Sequence, residues 1–125
     1  MATLKLVEIR QGTTPLLTAI VDGEAIQDAT VYITLDQNDK QLTKNNSDND
    51  GAIVMTPIMS GSTQIGTQVD IQYSQAETLY LRPGFAKVQI GWAFEDGEAD
   101  MTNIGRVRIP KALYKGVKRY GEHSS

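Results

Sequence analysis

The stretch Phe85–Ile109, FAKVQIGWAFEDGEADMTNIGRVRI, decides the fold predicted for this chain. Apolar residues occupy the even positions at its start, and such alternation places every second side chain on one face of a β-strand. The dipeptide Asp96-Gly97 then favours a two-residue hairpin, because that tight turn needs positive φ. The apolar residues of the return run share one parity except at Ile104, which predicts a β-bulge. We therefore expect a hairpin at the centre of a β-sheet core.

A two-residue loop would place Trp92 opposite Met101 across this hairpin. Six other stretches carry strand patterns, with β-branched and aromatic residues that suit a pleated, half-buried surface: Thr3–Arg10, Thr14–Val21, Ala29–Asp36, Gln41–Lys44, Ala52–Pro57 and Thr67–Tyr73. The polar segment Met59–Gly66 reads as a loop. About seven short strands with turn signals between them, and no long helical pattern, predict an all-β antiparallel sandwich of immunoglobulin-like type.

The core of this sandwich follows from the alternation. The inward-facing positions of four predicted strands are apolar, and we expect the core at Val31, Ile33, Leu35, Val69, Ile71, Val88, Ile90, Trp92, Phe94 and Val107.

Two short segments carry helix signals. Ser74 and Glu77 have the spacing of a capping box, in which each side chain satisfies a backbone donor of the other residue, and one helical turn can follow before Arg82-Pro83-Gly84. Pro110–Val117 predicts a short C-terminal helical turn with proline at its first position. We expect residues 1–117 to form one sandwich domain and residues 118–125 to be a disordered tail.

Composition bounds the possible functions. A chain of 125 residues with 40% apolar and 22% charged residues fits one soluble domain with one core. The absence of cysteine excludes disulfides and thiolate metal sites. No run approaches the roughly 20 apolar residues of a membrane span, so we expect no membrane partner. The segment 1–12 carries three charges and does not read as a signal peptide.

The charge is divided unevenly along the sequence. Residues 1–100 hold six Lys/Arg against 14 Asp/Glu, whereas residues 101–125 hold six Lys/Arg against one Asp/Glu, for a net charge of −3. An acidic body with a basic end favours docking of that end on an acidic partner. Nucleic acid is the less favoured partner, because the acidic body would repel a polyanion. The predicted docking residues are Arg106, Arg108, Lys111, Tyr114, Lys115, Lys118 and Arg119.

No catalytic, cofactor-binding or metal-binding residue is predicted. The single histidine, His123, lies next to the C-terminus, where nothing would hold it rigidly as a catalytic triad requires. Asp48–Gly51 partly matches a calcium loop, but Met59 stands where the twelve-residue pattern needs a bidentate glutamate. Glu95 and Asp100 are candidates for the paired acids of glycoside hydrolysis, but they flank a hairpin turn rather than line a cleft. We therefore expect no enzyme.

Four segments carry a resemblance to a known group of proteins: VYITLDQNDKQLTK (31–44), YSQAETLYLRPG (73–84), AKVQIGWAFEDGEA (86–99) and IPKALYKGV (109–117). Together they resemble the small β-rich proteins encoded among the tail genes of phages and prophages of Gram-positive bacteria. In outline they are similar to the N-terminal domain of siphophage upper baseplate proteins. The segment EIRQGTT (8–14) resembles the opening ITQGDT-type segment of that group, with Arg10 where the group more often has an uncharged residue.

The resemblance implies a virion structural or assembly role without catalysis. It further implies contacts with other tail or baseplate proteins, a homo-oligomer, and a location in the virion and, during assembly, in the host cytoplasm. The alternative is a carbohydrate-binding module for attachment to the host cell wall, which would need solvent-facing aromatic residues on one sheet face. Aromatic residues make up only 6% of the chain, which disfavours this alternative.

Overall fold

The computed structural model describes residues 2–4, 8–47, 52–102 and 104–121. Within these residues the chain forms nine strands and one short helix: β1 (Ala2–Leu4), β2 (Leu16–Asp22), β3 (Thr30–Asp36), β4 (Gln41–Asn45), β5 (Ile53–Ser60), β6 (Thr63–Gln72), α1 (Gln75–Tyr80), β7 (Gly84–Ala93), β8 (Ala99–Met101) and β9 (Gly105–Ile109). The calcium-like segment 48–51 and His123 lie outside the described residues.

The strands form two antiparallel sheets. One sheet has the order β1-β2-β6-β5, and the other has the order β4-β3-β7, with β8 and β9 both paired to β7. This division of consecutive strands between two sheets is that of an immunoglobulin-like sandwich. The predicted fold class is therefore confirmed.

The first strand differs from its prediction. Thr3–Arg10 is not one strand, because β1 pairs with β2 in the four-stranded sheet whereas Glu8 forms a parallel bridge with Arg108 in the other sheet. The Ile9 N–H donates to the Arg108 carbonyl at 2.8 Å. The N-terminal chain thus contributes to both sheets, although residues 5–7 lie outside the described residues.

The core lies between the two sheets, where alternate residues of both form one apolar cluster. Nine of the ten predicted core residues are buried, among them Trp92 at 5% exposure. Phe94 is the exception and is only partly buried. Its N–H donates to the Glu98 carbonyl at the start of the β7–β8 loop, so Phe94 lies at the end of the strand, at the edge of the core.

The central hairpin forms, but with a different register. The bonds from Phe94 N–H to Glu98 C=O and from Gly97 N–H to Phe94 C=O define a three-residue loop that ends on Gly97 at φ 92. Trp92 therefore lies opposite Asp100 rather than Met101. The pairing of β7 shifts by one residue between β8 and β9, which is the irregularity predicted around Ile104.

The hairpin of β5 and β6 is longer than predicted. Met59–Gly66 was expected to be a loop, but β5 continues to Ser60 and β6 begins at Thr63. Ser60 and Thr63 are register partners, so only Gly61 and Ser62 turn the chain. Gly61 has φ 62, which glycine adopts at little cost.

The helix at Gln75–Tyr80 has the predicted capping box, with Ser74 and Glu77 bonded to each other's backbone donors. The predicted helical turn at Pro110–Val117 is wrong, since that segment has no regular structure. Leu113 is 99% exposed and Val117 is 44% exposed, so an apolar side would have nothing to pack against. Lys118, beyond the predicted domain boundary, is held by hydrogen bonds to Gln75 and Gly12.

Candidate functional site

The five-stranded sheet turns one face to the core and the other to solvent. On β3 the buried side chains alternate with Tyr32, Thr34 and Asp36, and the same alternation runs along β7. We call the solvent-facing side chains of this sheet the outer face. Its members on β3, β7, β8 and β9 are Tyr32, Thr34, Asp36, Phe85, Lys87, Gln89, Gly91, Met101, Arg106 and Arg108.

The outer face exposes large apolar side chains. Tyr32 is 43% exposed, Phe85 is 57% exposed and Met101 is 60% exposed. Each is held on a strand rather than a loop, so the sheet fixes its position. Exposed aromatic and methionine side chains are typical of protein–protein contact sites.

An apolar groove crosses the outer face near the end of β7. Tyr32, Gly91 and Met101 are register partners on three neighbouring strands, so the glycine forms a floor between two larger side chains. The groove has a volume of about 330 Å³, and Ala93 and Ala99, which are also register partners, continue its lining.

The backbone does not require glycine at position 91. Its φ lies outside the left-handed region, and an added Cβ would lie 3.6 Å from the Asp100 carbonyl oxygen, which is ordinary contact. Glycine inside a strand is destabilising and often marks a place where a ligand or another chain approaches closely. The open groove at Gly91 is therefore a candidate contact surface.

A basic groove lies at the other end of the outer face. Lys87 and Arg106 are register partners on β7 and β9, and the Arg106 guanidinium lies 4.8 Å from the centre of the Phe85 ring. The groove has a volume of about 530 Å³, and Arg82 and Asp36 also line it. Like charges directly opposite each other on a sheet are destabilising. The described part of the chain offers Lys87 and Arg106 no carboxylate within ion-pair distance.

The predicted docking residues fall into two groups. Arg106 and Arg108 belong to the outer face, and Arg108 lies 3.4 Å from a Glu8 carboxylate oxygen. The other five lie on the irregular segment that follows β9, where the Lys118 ammonium lies over the Tyr114 ring at 5.5 Å. Both groups lie towards one end of the sandwich, because Ile109 pairs with Gly84.

The sequence patterns did not predict four members of the outer face, namely Phe85, Lys87, Gly91 and Met101. Their parity in the alternating pattern already placed the first three away from the core. What brings them beside Tyr32 and Arg106 is the pairing of β7 with β3 and β9, which joins residues far apart in sequence.

An ion pair at the end of the sandwich has a structural role. Lys44 points inward from the edge strand β4, and its ammonium donates to a Glu77 carboxylate oxygen and to the Gln72 carbonyl, both at 2.8 Å. Burial raises the pKa of Glu77, but hydrogen bonds from Lys44 and from the Ser74 backbone, with the Lys44 charge, outweigh it, so the pKa is lowered overall. An inward charge on an edge strand also discourages pairing with other chains.

Tyr73 lies beside this ion pair, with the Lys44 ammonium 5.1 Å from its ring centre. Its hydroxyl is buried and has no hydrogen-bond partner among the described residues. Burial, and to a lesser extent the Glu77 charge, raise the pKa of this hydroxyl well above its ordinary value. The phenol is therefore neutral at physiological pH.

The acids considered for catalysis lie on the exposed hairpin. Glu95 and Asp100 are both exposed, and neither lines the basic groove. Among the described residues, no three histidines or acids are grouped so that they could hold a metal ion. The same residues include no helix of the length and apolarity needed to cross a membrane.

Comparison with known proteins adds no relative to these observations. No family model matches the chain, and no curated protein matches it.

Proposed function

We propose that this chain is a non-enzymatic structural or assembly module of a phage tail or baseplate, which acts through protein–protein contacts of the outer face. It would be located in the virion and, during assembly, in the host cytoplasm. The observation that carries the proposal is the apolar groove, where Tyr32 and Met101 flank a glycine that the backbone does not require. The sequence resemblance supplies the class of partner, namely other tail or baseplate proteins.

The hydrogen bonding of the polar groups on the outer face supports a protein–protein contact surface rather than a catalytic site. The Thr34 and Thr43 hydroxyls on the outer face are bonded to each other at 2.9 Å, and the Gln89 amide donates to the Thr102 carbonyl at 2.8 Å. Groups already satisfied in this way contribute shape to an interface, while the buried apolar side chains supply the affinity.

Gene neighbourhood and binding test the proposal together. We expect the gene to lie among phage tail genes, and the purified chain to bind at least one purified tail or baseplate protein encoded there. Gly91→Val, which fills the floor of the groove, and Tyr32→Ala should each weaken this binding on the order of tenfold or more. Val54→Ala is the matched control, because Val54 is 54% exposed on the four-stranded sheet.

Thermal unfolding of each variant shows whether it is folded, and isothermal titration measures its affinity. A gene outside any tail cluster would contradict the proposal. Folded Gly91→Val and Tyr32→Ala proteins that bind as tightly as the wild type would contradict the assignment of the outer face.

A carbohydrate-binding module is the second candidate, favoured by the exposed ring of Tyr32 beside the groove. A sugar ring could stack on this face, with its hydroxyls towards Asp100. Binding of cell-wall glycans on an array, abolished by Tyr32→Ala, would favour this candidate over the assembly role.

A further inference from the structure

The loops at one end of the five-stranded sheet are acidic, whereas a basic groove lies towards its other end. Thr30 pairs with Ala93, so the loop before β3 and the loop after β7 leave the sheet at the same end. These two segments, 23–29 and 94–101, contain no lysine or arginine. Together they carry Glu24, Asp28, Glu95, Asp96, Glu98 and Asp100, and we call residues 95–100 the acidic loop.

The basic groove lies at the opposite end of the same strand. Lys87 and Arg106 stand next to each other on neighbouring strands, and the Phe85 ring lies against the Arg106 guanidinium. Arg82 is neutralised by Asp39 at 2.6 Å, and Asp36 stands opposite Lys87 on β3. These two acids leave the groove with a net positive charge, in a protein whose overall charge is −3.

The two ends complement each other in sign and in shape. Lys87 and Ala93, the last residue of β7 before the acidic loop, are separated by about 20 Å at roughly 3.3 Å per residue. An ion pair between the two ends of one molecule is therefore out of reach. The acidic loop is the exposed tip of the β7–β8 hairpin, which is narrow because only residues 95–97 turn the chain, whereas the basic groove is a concave surface lined in part by Phe85.

We propose that the acidic loop of one copy docks in the basic groove of a second copy, so that the chains associate head to tail. This inference rests on the proposed role as an assembly module and names a second copy of the chain as a partner. Because the contact uses different surfaces on the two copies, it repeats from copy to copy and builds a ring or a filament. The exposed Phe85 ring would be buried under the incoming loop, where ion pairs to Lys87 and Arg106 are strengthened by the exclusion of water.

Two variants test the head-to-tail geometry. The groove variant, Lys87→Gln with Arg106→Gln, retains the acidic loop. The loop variant, Glu95→Gln with Glu98→Gln, retains the groove, and it leaves Asp96 in place because its carboxylate accepts the Glu98 N–H at 2.9 Å and holds the turn. All four substituted side chains are exposed, so both variants should fold.

Sedimentation velocity at low salt measures the outcome. The wild type should form species larger than a dimer, with association weakened on the order of tenfold or more at high salt. Each variant alone should be monomeric. An equimolar mixture should form a one-to-one dimer and nothing larger, because only one matching pair of ends remains.

The loop variant separates this inference from a general charge effect. This variant moves the net charge towards zero. If general repulsion between the chains controlled their association, the variant should associate more strongly than the wild type. If the acidic loop docks in the basic groove, the variant should lose its association. A wild type that is monomeric at every concentration would overturn the inference, as would a mixture that stays monomeric or grows beyond a dimer. Binding to tail proteins, measured separately, would still support the proposed function in that case.

Discussion

Among single residues, Lys44 and Glu77 show how a buried charge is accommodated in a small sandwich. The lysine side chain is 6% exposed, and its ammonium donates to one carboxylate and one carbonyl oxygen. Removing one partner of such a pair leaves the other charge buried without a counter-ion. This lowers the free energy of unfolding by more than the intact pair contributes to it. The pair also joins β4 of one sheet to α1, which follows the other sheet.

This geometry predicts a pH dependence. The pKa of Glu77 is lower in the folded protein than its ordinary value of 4.5, so its ionisation stabilises the fold above that value, and the contribution is lost as the pH falls through the folded pKa. Glu77→Gln, which can still cap the helix, should lower the free energy of unfolding by about 1–3 kcal/mol at pH 7. The difference from the wild type should shrink towards pH 3.

Urea unfolding followed by Trp92 fluorescence at pH 7, 5, 4 and 3 measures this difference. Glu98→Gln is the control, because it removes the same charge from an exposed loop without an ion pair among the described residues. A Glu77→Gln deficit of the same size at pH 3 and pH 7 would show that the charge of Glu77 contributes nothing.

Among the elements, the segment after β9 is held by side chains rather than by regular structure. The Gln75 amide donates to the Lys118 carbonyl at 2.8 Å, and its oxygen accepts the Lys118 N–H at 2.6 Å. The Gln11 amide oxygen accepts the Ala112 N–H at 3.2 Å. The side chains of Gln11 and Gln75 thus hold this segment in place without a helix.

Gln75→Ala should release this segment without unfolding the sandwich. Alanine suits the first turn of α1, so the expected loss is two hydrogen bonds, or about 1–2 kcal/mol. Limited trypsin digestion should cut after Lys115 and Lys118 several-fold faster than in the wild type. Gln68→Ala, which removes an amide bonded to Asp70 on β6, is the control. Equal cleavage rates for Gln75→Ala and the wild type would mean that other contacts hold the segment.

The edge strand β5 has an obstacle to docking by strand addition. The Gln72 N–H donates to the Ala52 carbonyl, so in this register Ile53, Met55 and Pro57 direct their backbone groups away from β6. Proline has no N–H to offer there, and it interrupts any ladder with an incoming strand. The outer face carries no such obstacle.

The alternating patterns predicted most strands correctly, because a period of two is a local property of the sequence. Loop length was not predictable in the same way, since Asp96-Gly97 fits both a two-residue turn and the last two positions of a three-residue loop. The position of the candidate site depends on the pairing of strands that are far apart in the sequence. Arg106 was predicted as a docking residue, but its neighbours Lys87 and Phe85 are set by the register of β7 and β9, which no local pattern contains.

At the scale of the whole molecule, the fold turns a division of charge along the sequence into a division in space. The basic C-terminal segment begins where Ile109 pairs with Gly84, beside the basic groove. The acidic loops leave from the other end of β7. The sandwich thus has acidic loops at one end of β7 and a basic groove towards the other end, and two such different surfaces allow a contact that repeats from copy to copy.

The single apolar cluster between the sheets predicts that the two sheets unfold together. Ile71 lies on β6 of the four-stranded sheet and is fully buried, so Ile71→Ala should lower the free energy of unfolding by about 2–5 kcal/mol. Trp92 lies on β7 of the other sheet, and its fluorescence should report this whole loss.

Ile65→Ala is the matched control, because Ile65 lies on the same strand at 50% exposure and should cost far less. Far-ultraviolet circular dichroism and Trp92 fluorescence should give the same midpoint in urea for both variants. If Ile71→Ala lowered the midpoint by circular dichroism but left the Trp92 transition in place, each sheet would be stable on its own. The core between the sheets would then not be what holds the strands of the outer face in place.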